Sequence, residues 1–153
     1  MDSAIVCGVD GSTESRAALR VAAQLSGQLG FPLVIAHVTQ AAVFAPMVDS
    51  RPVMSQPTPE ELSVAELLLE QIAEEEGFSG ANLQALYGLP AERLAELADE
   101  EGAAFVVVGS RGRGAFRAAF LGSVSRDLIG VARCPVLVVP PGVVDLPQSP
   151  ARM

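Results

Sequence analysis

At 153 residues, half of them hydrophobic, the chain fits one domain with a single core, which buries roughly two thirds of the surface an unfolded chain of this size exposes. Its net charge of −8 argues against a general nucleic-acid binder, which carries a basic face to displace counterions from phosphates. No apolar run approaches the roughly 20 residues of a membrane-spanning helix and no basic leader precedes the first apolar run, so a cytoplasmic protein with no membrane partner is expected.

Ala4 to Val9 is a short apolar run that ends in Asp10-Gly11-Ser12, and Glu14 to Leu29 follows with Ala17, Ala18, Val21, Ala22 and Leu25 at helical spacing. Strand, turn and helix are predicted in that order, with Ser12 or Thr13 as the helix cap and Gly30 as its stop. Pro32 to Val38 reads as the second strand. From Thr39 to Pro59 the pattern dissolves into Ala, Pro, Met and Ser, with prolines at 46, 52, 57 and 59, and a single long loop is expected there. Glu60 to Glu76 restores helical periodicity through Leu62, Ala65, Leu68, Leu69 and Ile72, and Gly77 closes it. Ala81 to Tyr87 is predicted as a strand.

Pro90 opens the next helix, where its missing N–H costs nothing, and Leu94, Leu97 and Ala98 form the apolar stripe up to Gly102. Ala103 to Val108 is an unbroken apolar run that delivers Gly109. Ser123 to Ala132 is a last helix and Pro135 to Val139 a last strand, after which residues 143–153 read as a loose tail behind a domain spanning 1–142. Strands thus alternate with helices, and several strands are apolar throughout, as in a parallel sheet covered on both faces. The expected fold is an open five-stranded α/β sandwich of order 3-2-1-4-5. A ligand in such a sheet binds beyond the carboxyl ends of the strands where the strand order reverses, which sets Asp10 and Gly109 across one crevice with Val38 beside them.

Gly109-Ser110-Arg111-Gly112, followed after nine residues by Gly122-Ser123, places glycines and hydroxyls where a strand hands over to a helix. Glycine lets a ligand approach the main chain closely, and a helix N-terminus offers unpaired N–H groups to an anion, so the stretch reads as a phosphate cradle. Between Gly109 and Arg133 stand five arginines (Arg111, Arg113, Arg117, Arg126, Arg133) against one acid, Asp127, which leaves the rest of the chain at −12. These arginines either neutralise phosphate or form a solvated helix face. The chain has no lysine, so a bound phosphate is held by backbone, hydroxyl and arginine. Cys7 and Cys134 lie in or beside apolar segments and read as reduced, and with His37 the single histidine no protein metal site is expected.

With these residues assembled, the chain resembles the universal stress protein family, specifically its ATP-binding branch, over residues 3–141. The resemblance is carried by Val6-Cys7-Gly8-Val9-Asp10-Gly11-Ser12, by Ala36-His37-Val38, by Gly109-x2-Gly112-x9-Gly122-Ser123, and by Cys134-Pro135-Val136-Leu137-Val138-Val139-Pro140. It implies a Rossmann-like fold in which Asp10 lies against the nucleoside, the backbone at Val38 contacts adenine, and Gly109, Gly112, Gly122 and Ser123 surround phosphate and ribose, with Ser125 a further hydroxyl. Gly8 and Val9 join Asp10 in the implied set, Val108, Ser110 and Arg111 flank Gly109, and Val124 follows Ser123. The implied ligand is ATP with Mg2+ held mainly by its phosphates, and the implied assembly is a homodimer through the last strand, Val136 to Val139.

For Asp10 a turn or capping role stands beside the nucleoside contact, since Asp-Gly-Ser is also turn chemistry. His37 reads as structural, because no nucleophile and acid accompany it. The chain has no obvious base to activate water, so a nucleotide-holding switch or sensor of the stress response with slow or no hydrolysis is favoured over a nucleotide-cleaving or adenylate-transferring enzyme. A phospho-accepting regulator is excluded by the missing acidic pair and lysine.

Overall fold

Ser12 starts the first helix because its side chain accepts the backbone N–H of Ser15, and Gly30 ends it because it adopts a left-handed conformation, φ 72°, that side-chain-bearing residues resist. The structure, a computed structural model, describes residues 3–44, 53–78, 80–110, 121–140 and 142–143. In chain order these form β1 (Ile5–Gly8), α1 (Thr13–Leu29), β2 (Leu33–Gln40), β3 (Val43–Phe44), β4 (Val53–Met54), α2 (Pro59–Glu75), β5 (Asn82–Gly88), α3 (Pro90–Glu100), β6 (Phe105–Gly109), α4 (Ser123–Val131) and β7 (Val136–Val139).

The main sheet is parallel and ordered β5-β2-β1-β6-β7. Counting only its own strands this is 3-2-1-4-5, the expected order. Two layers of apolar side chains cover it. On one face Ile5, Cys7, Ile35 and Val107 meet Leu19 and Val21 of α1 and Leu69 and Ile72 of α2. On the other, Val6, Val34, Ala36 and Val106 meet Leu94 and Leu97 of α3 and Leu128 of α4. The alternation along each strand feeds both layers, which is why these strands read as unbroken apolar runs.

One expectation is corrected. Residues 39–59 are not one loop: β2 runs on to Gln40 because Thr39 and Gln40 pair with Tyr87 and Gly88 of β5, and β3 pairs antiparallel with β4. Thr58 then caps α2 through a reciprocal box, taking the Glu61 N–H at 3.1 Å while the Glu61 carboxylate takes the Thr58 N–H at 2.8 Å. The Val143 side chain is half-buried against the α1 layer, and the rest of the expected tail, residues 144–153, lies outside the described residues.

The α1 and α2 helices are clamped at one corner. Arg16 reaches Glu75 at 2.7 Å and Arg20 reaches Glu76 at 2.8 Å. Hydrogen bonds from Gln71 and Arg16 hold the Glu75 carboxyl below its usual range, and the Arg20 hydrogen bond does the same for Glu76. Cys7 and Cys134 are both free thiols, as expected, and complete burial pushes Cys7 up to about 12, far from any reactive thiolate.

Candidate functional site

The strand order reverses between β1 and β6, whose first helices leave on opposite faces, so their carboxyl ends open a crevice between the starts of α1 and α4. Continuing the registers Gly8↔Ala36 and Cys7↔Val107 sets Asp10 level with Val38 on one side and Ser110 on the other. Three of the segments singled out in the sequence therefore end at one height.

The β1 side of the crevice is bonded within itself. The Val9 N–H donates to the Ala36 carbonyl at 2.8 Å, and the Val9 carbonyl accepts from His37 Nδ1 at 2.8 Å. A carbonyl only accepts, so that nitrogen carries the proton. The Asp10 N–H donates to Ser15 Oγ at 3.2 Å, and one Asp10 carboxylate oxygen accepts the Ser12 N–H at 2.9 Å. Of the two roles weighed for Asp10, the turn role is thus present in this geometry. His37 is structural, as expected, but its partner was not foreseen: a ring bond between neighbouring strands leaves no trace in periodicity.

The β6 side gathers the two halves of the glycine motif. Ser110 donates its N–H to the Val139 carbonyl at 2.9 Å, and its own carbonyl accepts the Gly122 N–H at 2.6 Å and Ser125 Oγ at 3.1 Å. Those contacts pull the start of α4 onto the tip of β6. Gly122 is the N-cap of α4 and supplies no side-chain bond to its first turn, while Ser123 is exposed there and Val124 packs half-buried on the α3 layer. Ser110 Oγ is buried and without a partner among the described residues, in a residue only 7% exposed. A buried hydroxyl of this kind costs stability unless something else meets it.

Gly8 and Gly109 stand close to their neighbours, Gly109 against main chain and Gly8 against a movable side-chain end. A Cβ at Gly109 would stand 3.0 Å from the Glu14 backbone, and one at Gly8 would stand 2.9 Å from a Leu94 methyl and 3.4 Å from Val108. The contact with Glu14 brings the β6 tip against the first turn of α1, which completes the crevice floor. Arg111 and Gly112, and with them Arg113 and Arg117, lie outside the described residues. Arg126 and Arg133 are exposed, which fits the solvated-face reading of the arginine cluster for these two. A separate cavity of about 320 Å³ lies between β2 and the start of α2, lined by His37, Thr39, Glu60, Glu61, Val64, Ala65 and Leu68. No group of three or more metal-ligating side chains occurs among the described residues.

The sequence profile of the Universal stress protein family matches residues 1–140. The chain belongs to this family. It is 32% identical over 141 residues to a universal stress protein of Mycobacterium tuberculosis, covering 88% of this chain and 47% of that protein. The chain spans about half the length of the first curated relatives it matches. The universal stress protein YxiE of Bacillus subtilis is 30% identical over 151 residues, which covers 91% of this chain and 99% of YxiE. Among solved structures, a universal stress protein in complex with cAMP superposes with a TM-score of 0.66 at 25% identity, over 90% of this chain and 96% of the other. The universal stress protein from Archaeoglobus fulgidus in complex with dAMP gives 0.62 at 25% identity, over 90% and 97%. The fold is accordingly the Rossmann-like α/β fold of universal stress proteins. No helix among the described residues is long and apolar enough to cross a membrane.

Proposed function

We propose that the crevice between β1 and β6 holds an adenine nucleotide, with ATP as the ligand and Mg2+ carried mainly by its phosphates, as a switch or sensor in stress physiology with slow or no hydrolysis. The observation that carries this reading is Ser110: a buried hydroxyl with no partner among the described residues, bonded through its main chain to the start of α4, which has no side-chain cap. An anion seated there meets the hydroxyl, the free N–H groups and the positive end of the helix dipole together. The nucleoside side falls to the Gly8-Val9-Asp10 turn and the Val38 backbone, with Val108, Gly109, Gly122, Ser123, Val124 and Ser125 around the phosphate side, and Arg111 and Gly112 belonging to the same set by sequence. The complexes of similar proteins with cAMP and dAMP support an adenine base. We place the protein in the cytoplasm, as one domain over 1–142, paired through β7. Among the described residues that strand is the edge of the sheet, paired with β6 on one side, with Leu137 exposed, and an unpaired edge invites a second copy.

Calorimetric titration with ATP, ADP, AMP and cAMP tests the reading. Wild type binds at least one of them below millimolar concentration and leaves ATP intact over hours. Gly122→Val blocks close approach to the α4 start and abolishes binding, whereas Asp10→Ala removes one polar contact and weakens it by about tenfold, near 1.4 kcal/mol. Failure of every nucleotide at millimolar concentration, or rapid turnover of ATP, overturns it.

A further inference from the structure

Outside the crevice, two helices at opposite corners of the molecule carry exposed apolar anchors between charges of opposite sign. On α2, Leu67 is 63% exposed and Val64 is 64% exposed, and Glu60, Glu70 and Glu74 fall on the same helical face at seven before, three after and seven after Leu67. On α4, Ile129 is 54% exposed, with Arg126 three before it and Arg133 just beyond the helix, four after it. Arg133 lies 3.9 Å from Asp99, yet 85% of its side chain is exposed, so that pairing leaves it open to another partner. The α2 face is apolar and acidic, the α4 face apolar and basic. The two cannot meet within one molecule: α2 covers β5 and β2 in one layer, and α4 lies over the β7 side in the other.

We propose that the α4 face of one copy docks on the α2 face of a second copy. Charge complementarity picks this occupant. Two chains of net charge −8 repel, and the approach becomes favourable in the orientation that brings Arg126 and Arg133 onto the glutamates around Leu67. Ile129 against Leu67 and Val64 then supplies the desolvated centre such a contact needs. Because the two faces are different surfaces, the contact is heterologous: each bound copy still offers one free face, and growth continues into short chains or a ring. A strand-to-strand pair through β7 would be isologous and would by itself stop at two copies.

Light scattering and sedimentation across protein concentration and ionic strength test the docking. At low salt the mean mass of wild type rises with concentration past a pair, and it falls back as salt screens the charges. Leu67→Asp and Ile129→Asp each stop that growth, with far-UV circular dichroism confirming the fold at these exposed positions. Mixing the two variants restores one contact, because each retains the face the other has lost, and Glu70→Arg with Glu74→Arg on α2 likewise stops growth. The proposal is overturned if wild-type mass does not respond to concentration and salt, or if the mixed variants stay as small as either alone.

Discussion

The two walls of the crevice differ in how completely they satisfy themselves. At the β1 wall, the Val9 carbonyl has His37, the Asp10 N–H has Ser15, and the Ser12 N–H has the Asp10 carboxylate. At the β6 wall, both the N–H and the carbonyl of Ser110 are bonded, yet its buried hydroxyl has no partner among the described residues, and Gly122 starts a helix with no side-chain cap. One wall is a rigid support fixed before any ligand arrives. The other is held in shape while its donors stay available, which is what a site for an anion requires.

Four measurements break or sharpen this contrast. The largest effect belongs to Gly109→Ala, whose new Cβ meets the Glu14 main chain at 3.0 Å, so that the start of α1 has to give by a few tenths of an ångström. Loss of about 2 kcal/mol in urea unfolding is expected, together with lost nucleotide affinity. Next is His37→Ala, which strands the carbonyl of Val9, a residue only 4% exposed, and costs about 1–2 kcal/mol. His37→Asn puts an amide N–H where Nδ1 stood and recovers part of that loss, a rescue that a purely volumetric role would not give.

Ser110→Ala distinguishes the walls most directly. Removing an unmet buried hydroxyl leaves thermal stability unchanged or raised by up to about 1 kcal/mol, while nucleotide binding weakens. A clear loss of stability would mean the β6 wall is as self-satisfied as its neighbour. The smallest effect concerns the anchoring of the β1 wall through α1. Glu75 and Glu76 titrate below their ordinary range in the folded chain, so their pairing with Arg16 and Arg20 stabilises fully above the ordinary carboxylate range near 4.5 and is lost as pH falls through the lowered values. In Glu76→Gln the melting temperature falls slightly at neutral pH and its acid slope becomes shallower.

Much of this was legible in the sequence for physical reasons. Buried parallel strands such as Phe105–Gly109 are apolar on both faces, and glycine or proline punctuates the helix ends, so the alternation and the sheet order follow from the chain itself. The glycine spacing identified the β6 wall because a close main-chain approach has few side-chain solutions. What escaped was set by contacts between distant residues. The last two residues of β2 are polar, Thr39 and Gln40, and become strand only because β5 is there to pair with them. The β3–β4 ribbon is two residues on each side, too short for any periodicity to register. Both roles of Asp10 suit the same three residues, and only the observed bond to the Ser12 N–H shows that the turn role operates.

The pairing of Ile5 with Phe105 sets a schedule for assembly. β1 emerges among the first residues of the chain, but its neighbour on the crevice side is made only after β2, α2, β5 and α3 have been synthesised. Closing so long a loop is slow, and a half-made chain has the turn at Asp10 with nothing opposite it. Synthesis of β7, which follows α4, pairs with β6 and accepts the Ser110 N–H through Val139, therefore completes the sheet and the crevice in a late event.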